Sequence, residues 1–147
     1  MKVATYRPAR PEDQAYVAST WVMSMSRGRH GRNVQALRML VDRVLDRPDV
    51  TVTIAADPKV EQRIIGWLAF TRMVSPSLIM KPRHVVHYGY VRDENRRRGV
   101  LTGMLAASSV DLINLVYTFE GPSTKALAKT LLENAVHIAP HTFLESR

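Results

Sequence analysis

The chain of 147 residues contains no cysteine. That excludes a disulfide frame, a thiolate metal site and a thiol nucleophile. Neither G-x-G-x-x-G nor G-x-x-x-x-G-K-[ST] occurs, so the dinucleotide fingerprint and the P-loop are both missing. No run approaches the roughly 18 apolar residues of a membrane span, because Asp111 interrupts the longest candidate between Val100 and Val116. The first residues turn polar within six positions and do not read as a secretory signal. Internal repeats, low-complexity tracts and linkers are lacking too. The expectation is a single cytoplasmic domain over residues 1–147, long enough to bury a real core.

Acidic residues are the scarce charge. Lys and Arg number 21 against 13 Asp and Glu, a net +8. The surplus lies wholly before Gly99, since residues 99–147 carry three basic and four acidic side chains. Two clusters stand out: Arg27, Arg29, His30 and Arg32 around Gly28 and Gly31, and Arg92 with Arg96, Arg97 and Arg98. Such patches attract polyanions, either nucleic acid or a phosphorylated cofactor, and a solvated basic surface is the alternative.

The periodicities give an element order. Residues 3–7 alternate like a strand, and Pro11 opens a helix to about Met25 with Glu12 and Asp13 in its first turn. Val34, Leu37, Val41, Val44 and Leu45 recur at helical spacing up to Pro48. Residues 50–56 and 63–72 read as two strands of a hairpin, and residues 84–91 as a third, rich in Val and Tyr. A helix follows from Val100 to about Val110, its inner face built from Val100, Met104, Ala107 and Leu112 or its neighbours. Residues 113–119 form a further strand, Ser123 caps a helix to Asn134, and residues 135–139 make a last short strand. The order β-α-α-β-β-β-α-β-α-β predicts an α/β fold, a mixed sheet with helices on both faces. Trp21 and Trp67 sit in apolar patterns and are expected in the core.

Chemistry concentrates at the junction of the 84–91 strand and the next helix, residues 90–105. A strand, a basic turn, a glycine and a helix start follow one another there. Free N–H groups at a helix start and the positive end of its dipole suit an anion, and Gly99 permits a close approach. Arginines add charge and paired donors, so a diphosphate is the natural guest.

Val91 followed by Arg96-Arg97-Arg98-Gly99-Val100-Leu101 resembles the acetyl-CoA signature of the GNAT superfamily of N-acetyltransferases, [Gln/Arg]-x-x-Gly-x-[Gly/Ala] after a strand. Arg96 and Gly99 match, as does the apolar pair Met104 and Leu105. The element order is similar over nearly the whole chain, and Tyr6-Arg7-Pro8-Ala9 with Glu12 and Asp13 looks like a family opening. The resemblance implies acetyl-CoA as co-substrate and an amine on a small molecule or protein as acceptor. It implies that the backbone of Tyr90 and Val91 pairs with the pantetheine arm. Amides of Arg97, Arg98, Gly99, Val100 and Leu101 would hold the pyrophosphate, with Arg96 at the loop entrance and Thr102 near a phosphate. Ser123 would stand where the family often places a CoA-contacting Asn. The cluster from Arg27 to Arg32 would border the acceptor site and favour an acidic acceptor, unless it is merely solvated. The segment from Val85 to Val100 is also similar to short GNAT-like proteins of tailed phages.

Three features depart from that pattern. Leu101 stands where the family has Gly or Ala, and is expected to crowd the diphosphate. The helix from Ser123 contains no Tyr to protonate a leaving thiolate. Only one strand follows that helix where the family has two, leaving an open sheet edge suited to pairing in a homodimer. His87 is the candidate general base, against a structural role, and Tyr117 the candidate acid, against a core aromatic. No metal site is expected: His84 and His87 should face opposite ways on a strand, and Pro140 separates His137 from His141. Three functions compete. They are an acyl-CoA-dependent N-acyltransferase, a GNAT-like binding or assembly protein without catalysis, and a basic nucleic-acid binder lacking any recognised motif. Membranes and nucleic acid are not the expected partners.

Overall fold

The structure, a computed structural model, describes residues 2–26, 34–73, 83–110, 115–117 and 136–137. Its elements are β1 (Thr5–Pro8), α1 (Gln14–Ser26), α2 (Val34–Leu45), β2 (Val50–Ala56), β3 (Ile64–Met73), β4 (Arg83–Val91), α3 (Val100–Ala107), β5 (Leu115–Tyr117) and β6 (Val136–His137). They form one six-stranded sheet in the order β1 to β6. Strands β1 to β4 are antiparallel neighbours, while β4–β5 and β5–β6 pair in parallel. This is the mixed sheet that the sequence predicts. The cluster from Arg27 to Arg32, the expected loop at 75–82, the expected helix from Ser123 to Asn134 and His141 lie outside the described residues.

Alternation along β3 sorts its side chains between two cores. Trp67 and Ala69 face α1 and α2, joined by Ile54, Tyr88, Val17, Trp21, Val41 and Val44. Leu68 and Phe70 face α3, joined by Ile65, Val86, Val91, Val100, Met104 and Leu105. The first core is built on aromatic contacts. The Trp21 ring lies 5.3 Å from Trp67 and 5.6 Å from Tyr88, and Trp67 lies 6.0 Å from Tyr90. The Trp67 indole N–H donates to Thr20 Oγ1 at 2.8 Å, so its one polar atom is satisfied inside.

Some boundaries and faces differ from the periodicity. Pro11–Asp13 is a 3-10 turn, and α1 begins only at Gln14. Asp13 does more there than favour a dipole. Its carboxylate is buried, accepts the Arg10 N–H at 2.7 Å and accepts from both terminal Arg7 nitrogens, Nη1 and Nη2, at 2.7 and 3.2 Å. The Arg7 bonds hold its pKa below the ordinary carboxylate value. Val34 is 56% exposed, because α2 meets the sheet only from Leu37 onward. α3 stops at Ala107, which is exposed, and it buries Val100, Met104 and Leu105.

Trp67→Ala removes a fully buried ring from the centre of the first core. It should cost about 3–5 kcal/mol of stability in urea unfolding, whereas Val34→Ala should cost less than about 0.5 kcal/mol. Comparable losses for the two variants would contradict this division into core and surface.

Candidate functional site

The junction of β4 and α3 is made by two left-handed residues. Arg97 has φ 64° and Gly99 has φ 79° with ψ 15°. Such a φ is free for glycine and strained for arginine. Between β4 and that turn, Asp93–Asn95 forms one 3-10 turn. The path leaves the N–H groups of residues 97–102 with no acceptor among the described residues. Six consecutive donors at a helix start, on the positive end of its dipole, form an anion cradle.

The four arginines expected to ring this cradle divide into two pairs. Arg92 and Arg96 hold the loop. The Arg92 Nε–H donates to the Ile64 carbonyl at 2.7 Å, its amide donates to the Ile65 carbonyl at 2.9 Å, and its guanidinium lies 5.6 Å from the Tyr16 ring centre. The Arg96 Nε–H donates to the Val91 carbonyl at 3.0 Å, and its Nη1 meets Asp93 at 2.8 Å. Arg97 and Arg98 are exposed and have no carboxylate partner among the described residues. Arg92 is therefore a tie between strand ends, not part of a free basic rim.

Leu101 sits differently from the crowding that its place in the motif suggests. Its side chain is turned onto the sheet, where a Cβ on Gly89 would come within 2.9 Å of Leu101 Cδ1. Gly89 makes the room, and Leu101 joins the edge of the α3 core instead of covering the amides. At Gly66 the tight neighbour is the Tyr90 carbonyl oxygen, 2.7 Å from where a Cβ would stand, with Met104 and Val100 beyond it at 3.4 and 3.5 Å. The pairing of Gly89 with Leu101 is the feature that sequence reasoning missed. An apolar residue in a helical first turn, matched to a glycine on the preceding strand, was the available signal.

His87 occupies a β-bulge. Ala69 pairs with Tyr88 and Phe70 with Val86, so His87 is the extra residue of β4. It is 0% exposed, and its Nε2 lies 2.8 Å from Thr71 Oγ1. Burial pushes its pKa down to about 3, which keeps the ring neutral. Thr71 lies two residues beyond Ala69, so His87 is on the α1–α2 side, while His84 contacts Phe70 on the α3 side. The two histidines do face opposite ways. The other residues named from sequence fall as follows. Val91 and Val100 are buried, Tyr90 is half-buried with its pKa raised by burial, and Thr102 is exposed. Tyr117 lies in β5 opposite Val86, with its side chain outside the described residues, and Ser123 lies outside them altogether. Among the described residues there is no group of three potential metal ligands, and no helix is long and apolar enough to cross a membrane.

No family model matches the chain, and no curated protein matches it. Solved structures do. A possible acetyltransferase from Clostridium difficile 630 superposes with a TM-score of 0.62 at 15% identity, over 93% of each chain. A predicted acetyltransferase from Clostridium acetobutylicum, solved with acetyl-CoA, gives 0.59 at 15% identity over 86% of each. The aminoglycoside antibiotic 6'-N-acetyltransferase of Acinetobacter baumannii gives 0.54 at 13% identity, over 87% of this chain and 88% of that one. At these identities the likeness is one of fold, and the fold is that of the GNAT acetyltransferases.

A base whose folded pKa lies below its unfolded value binds fewer protons when folded. The stability tied to His87 is thus fully present above pH 6.5 and is lost as pH falls from 6.5 toward 3. The His87 ring resonances should stay flat between pH 5 and 8 in NMR. On acidification below pH 6.5 the urea midpoint of His87→Gln should fall less steeply than that of the unsubstituted protein. A titration near pH 6.5 would show an accessible imidazole and contradict the placement.

Proposed function

We propose that the chain is an acyl-CoA-dependent N-acyltransferase that transfers an acyl group, acetyl in the first instance, to an amine. The observation that carries the reading is the row of six amides at residues 97–102 without an acceptor among the described residues, on a fold shared with a predicted acetyltransferase solved with acetyl-CoA. The residues fit the group. A diphosphate needs converging donors and positive charge, and the loop offers both, while Leu101 is turned away onto Gly89. In this reading the amides of Arg97, Arg98, Gly99, Val100 and Leu101 bind the diphosphate, and Thr102 adds a hydroxyl. Arg96 holds the loop entrance against Val91, and the backbone of Tyr90 and Val91 lies alongside the pantetheine arm. When bound, acetyl-CoA supplies an activated thioester acyl group. The protein's contribution is to orient that group beside an acceptor amine, since positioning alone lowers such barriers substantially. A cytoplasmic location agrees with the need for acyl-CoA, and pairing through the β6 edge would give a homodimer. The amine, on a small molecule or a protein, stays open.

The burial of His87 favours a second reading, a GNAT-like acyl-CoA binder without turnover. With that imidazole neutral and closed off, the chain must rely on an amine that arrives deprotonated, or on a group outside the described residues. The ring contacts of Tyr88 and Tyr90 with Trp67 weaken the nucleic-acid reading, because those rings are engaged with the core.

Calorimetry with acetyl-CoA should give a micromolar Kd. Gly99→Glu sets a carboxylate beside the free amides and should weaken binding at least tenfold, with the fold checked by circular dichroism. No binding at millimolar acetyl-CoA would overturn both readings. Thiol release with a panel of amines then separates enzyme from binder.

A further inference from the structure

Gly103 stands in the middle of α3, a helix of only eight residues. Glycine weakens a helix relative to alanine, so its place there calls for a packing reason. Tyr6 supplies one. A Cβ on Gly103 would fall on Tyr6 Oη, 2.5 Å from Tyr6 Cζ and 3.1 Å from Cε2. Tyr6 belongs to the edge strand β1, pairs with Ala55 of β2 and packs on the α3 core. Its ring therefore reaches from the edge of the sheet to the flank of the helix.

Two reciprocal fits thus hold the first turn of α3. Leu101 of the helix fills the hollow at Gly89 on β4, and Tyr6 of β1 fills the hollow at Gly103 on the helix. A spacing of two residues is about 200° of rotation around a helix. The fits lie on opposite flanks, with Val100 and Met104 buried in the core between them. Together they fix the rotation of α3 about its own axis. Gly103 is also where the free amides end. Its N–H closes the first helical hydrogen bond, to the Gly99 carbonyl at 2.9 Å, directly after the donors of residues 97–102. Turning the helix there would swing the N–H groups of residues 100–102 around its end. The far end of α3 is held separately, by Ser108 Oγ and Thr53 Oγ1 at 2.7 Å.

We propose that Tyr6 is a positioning residue for acyl-CoA binding: wedged against Gly103, it fixes the rotation of α3 at which the amides of residues 100–102 meet the ligand's diphosphate. The inference rests on the acyl-CoA reading above and deepens it, by naming a residue that acts through the helix. Cζ and Cε2 belong to the ring, so phenylalanine keeps the wedge, whereas leucine lacks those atoms.

The test measures the Kd of acetyl-CoA by calorimetry on Tyr6→Leu, Tyr6→Phe and Gly103→Ala, with folding checked by circular dichroism and the urea midpoint. Val41→Ala is the control, a loss of buried bulk in the α1–α2 core on the other face of the sheet. Tyr6→Leu should weaken binding about tenfold, the scale of loss when preorganised groups shift by a fraction of an ångström. Gly103→Ala should weaken it similarly, although alanine favours a helix, because its methyl displaces Tyr6. Tyr6→Phe should bind like the unsubstituted protein, and Val41→Ala should lose stability without losing affinity. Unchanged binding in both Tyr6→Leu and Gly103→Ala would overturn the positioning role and leave the acyl-CoA reading in place. So would a loss of affinity in Val41→Ala as large as theirs, which would make stability the cause. If the unsubstituted protein binds no acetyl-CoA, that reading falls and the positioning role falls with it.

Discussion

The seating of α3 on the sheet is the constraint from which the rest follows. Gly89 leaves a hollow on β4 that Leu101 fills, and Val100, Met104 and Leu105 bury their side chains in the same core, so the helix lies close against the strands. That contact fixes where the helix begins. The chain leaving β4 at Val91 must then turn sharply, and it does so through left-handed Arg97 and Gly99. A turn of that kind points its amides outward instead of back into the helix. Packing on one side of the loop thus creates unsatisfied donors on the other. The anion cradle is a consequence of how the helix is held.

The two faces of the sheet have different work. On the α1–α2 side, the Trp21, Trp67 and Tyr88 rings pack against one another in a dense core, and His87 with Thr71 closes the β4 bulge inside it. On the α3 side, side chains are smaller and the loop stands open. Arg92 and Arg96 anchor the loop to strand ends, and Arg63 and Glu94 link its outer surface to the β3 side at 3.3 Å. Rigid anchoring of this kind lets exposed donors keep a binding geometry without a ligand. It also explains why a strongly basic chain leaves only a few cations free near the cradle.

Much of this was legible in the sequence, where local chemistry determines the outcome. The β-branched runs of β2 and β4, the glycine at 99 and the arginines before it announce strand, turn and helix start, and the structure has them in that order. What could not be read depends on register. The bulge that buries His87 follows from how β3 pairs with β4, and nothing in the local pattern HVVHYGYV marks it. The accommodation of Leu101 depends on Gly89 lying beneath it in space, across a loop. The roles of Arg92 and Arg96 depend on carbonyls of strand ends that only the fold brings near. Of the site residues, Ser123 and the side chain of Tyr117 lie outside the described residues.

The function proposed for this fold requires that ligand bind at the amides of residues 97–102. Titrating acetyl-CoA into isotope-labelled protein and following each backbone N–H by NMR measures this directly. The largest saturable shifts should fall on residues 97–102, with smaller ones at Tyr90 and Val91. Shifts centred instead on Arg7, Tyr16 and Arg92, or no saturable shift at the loop, would contradict it.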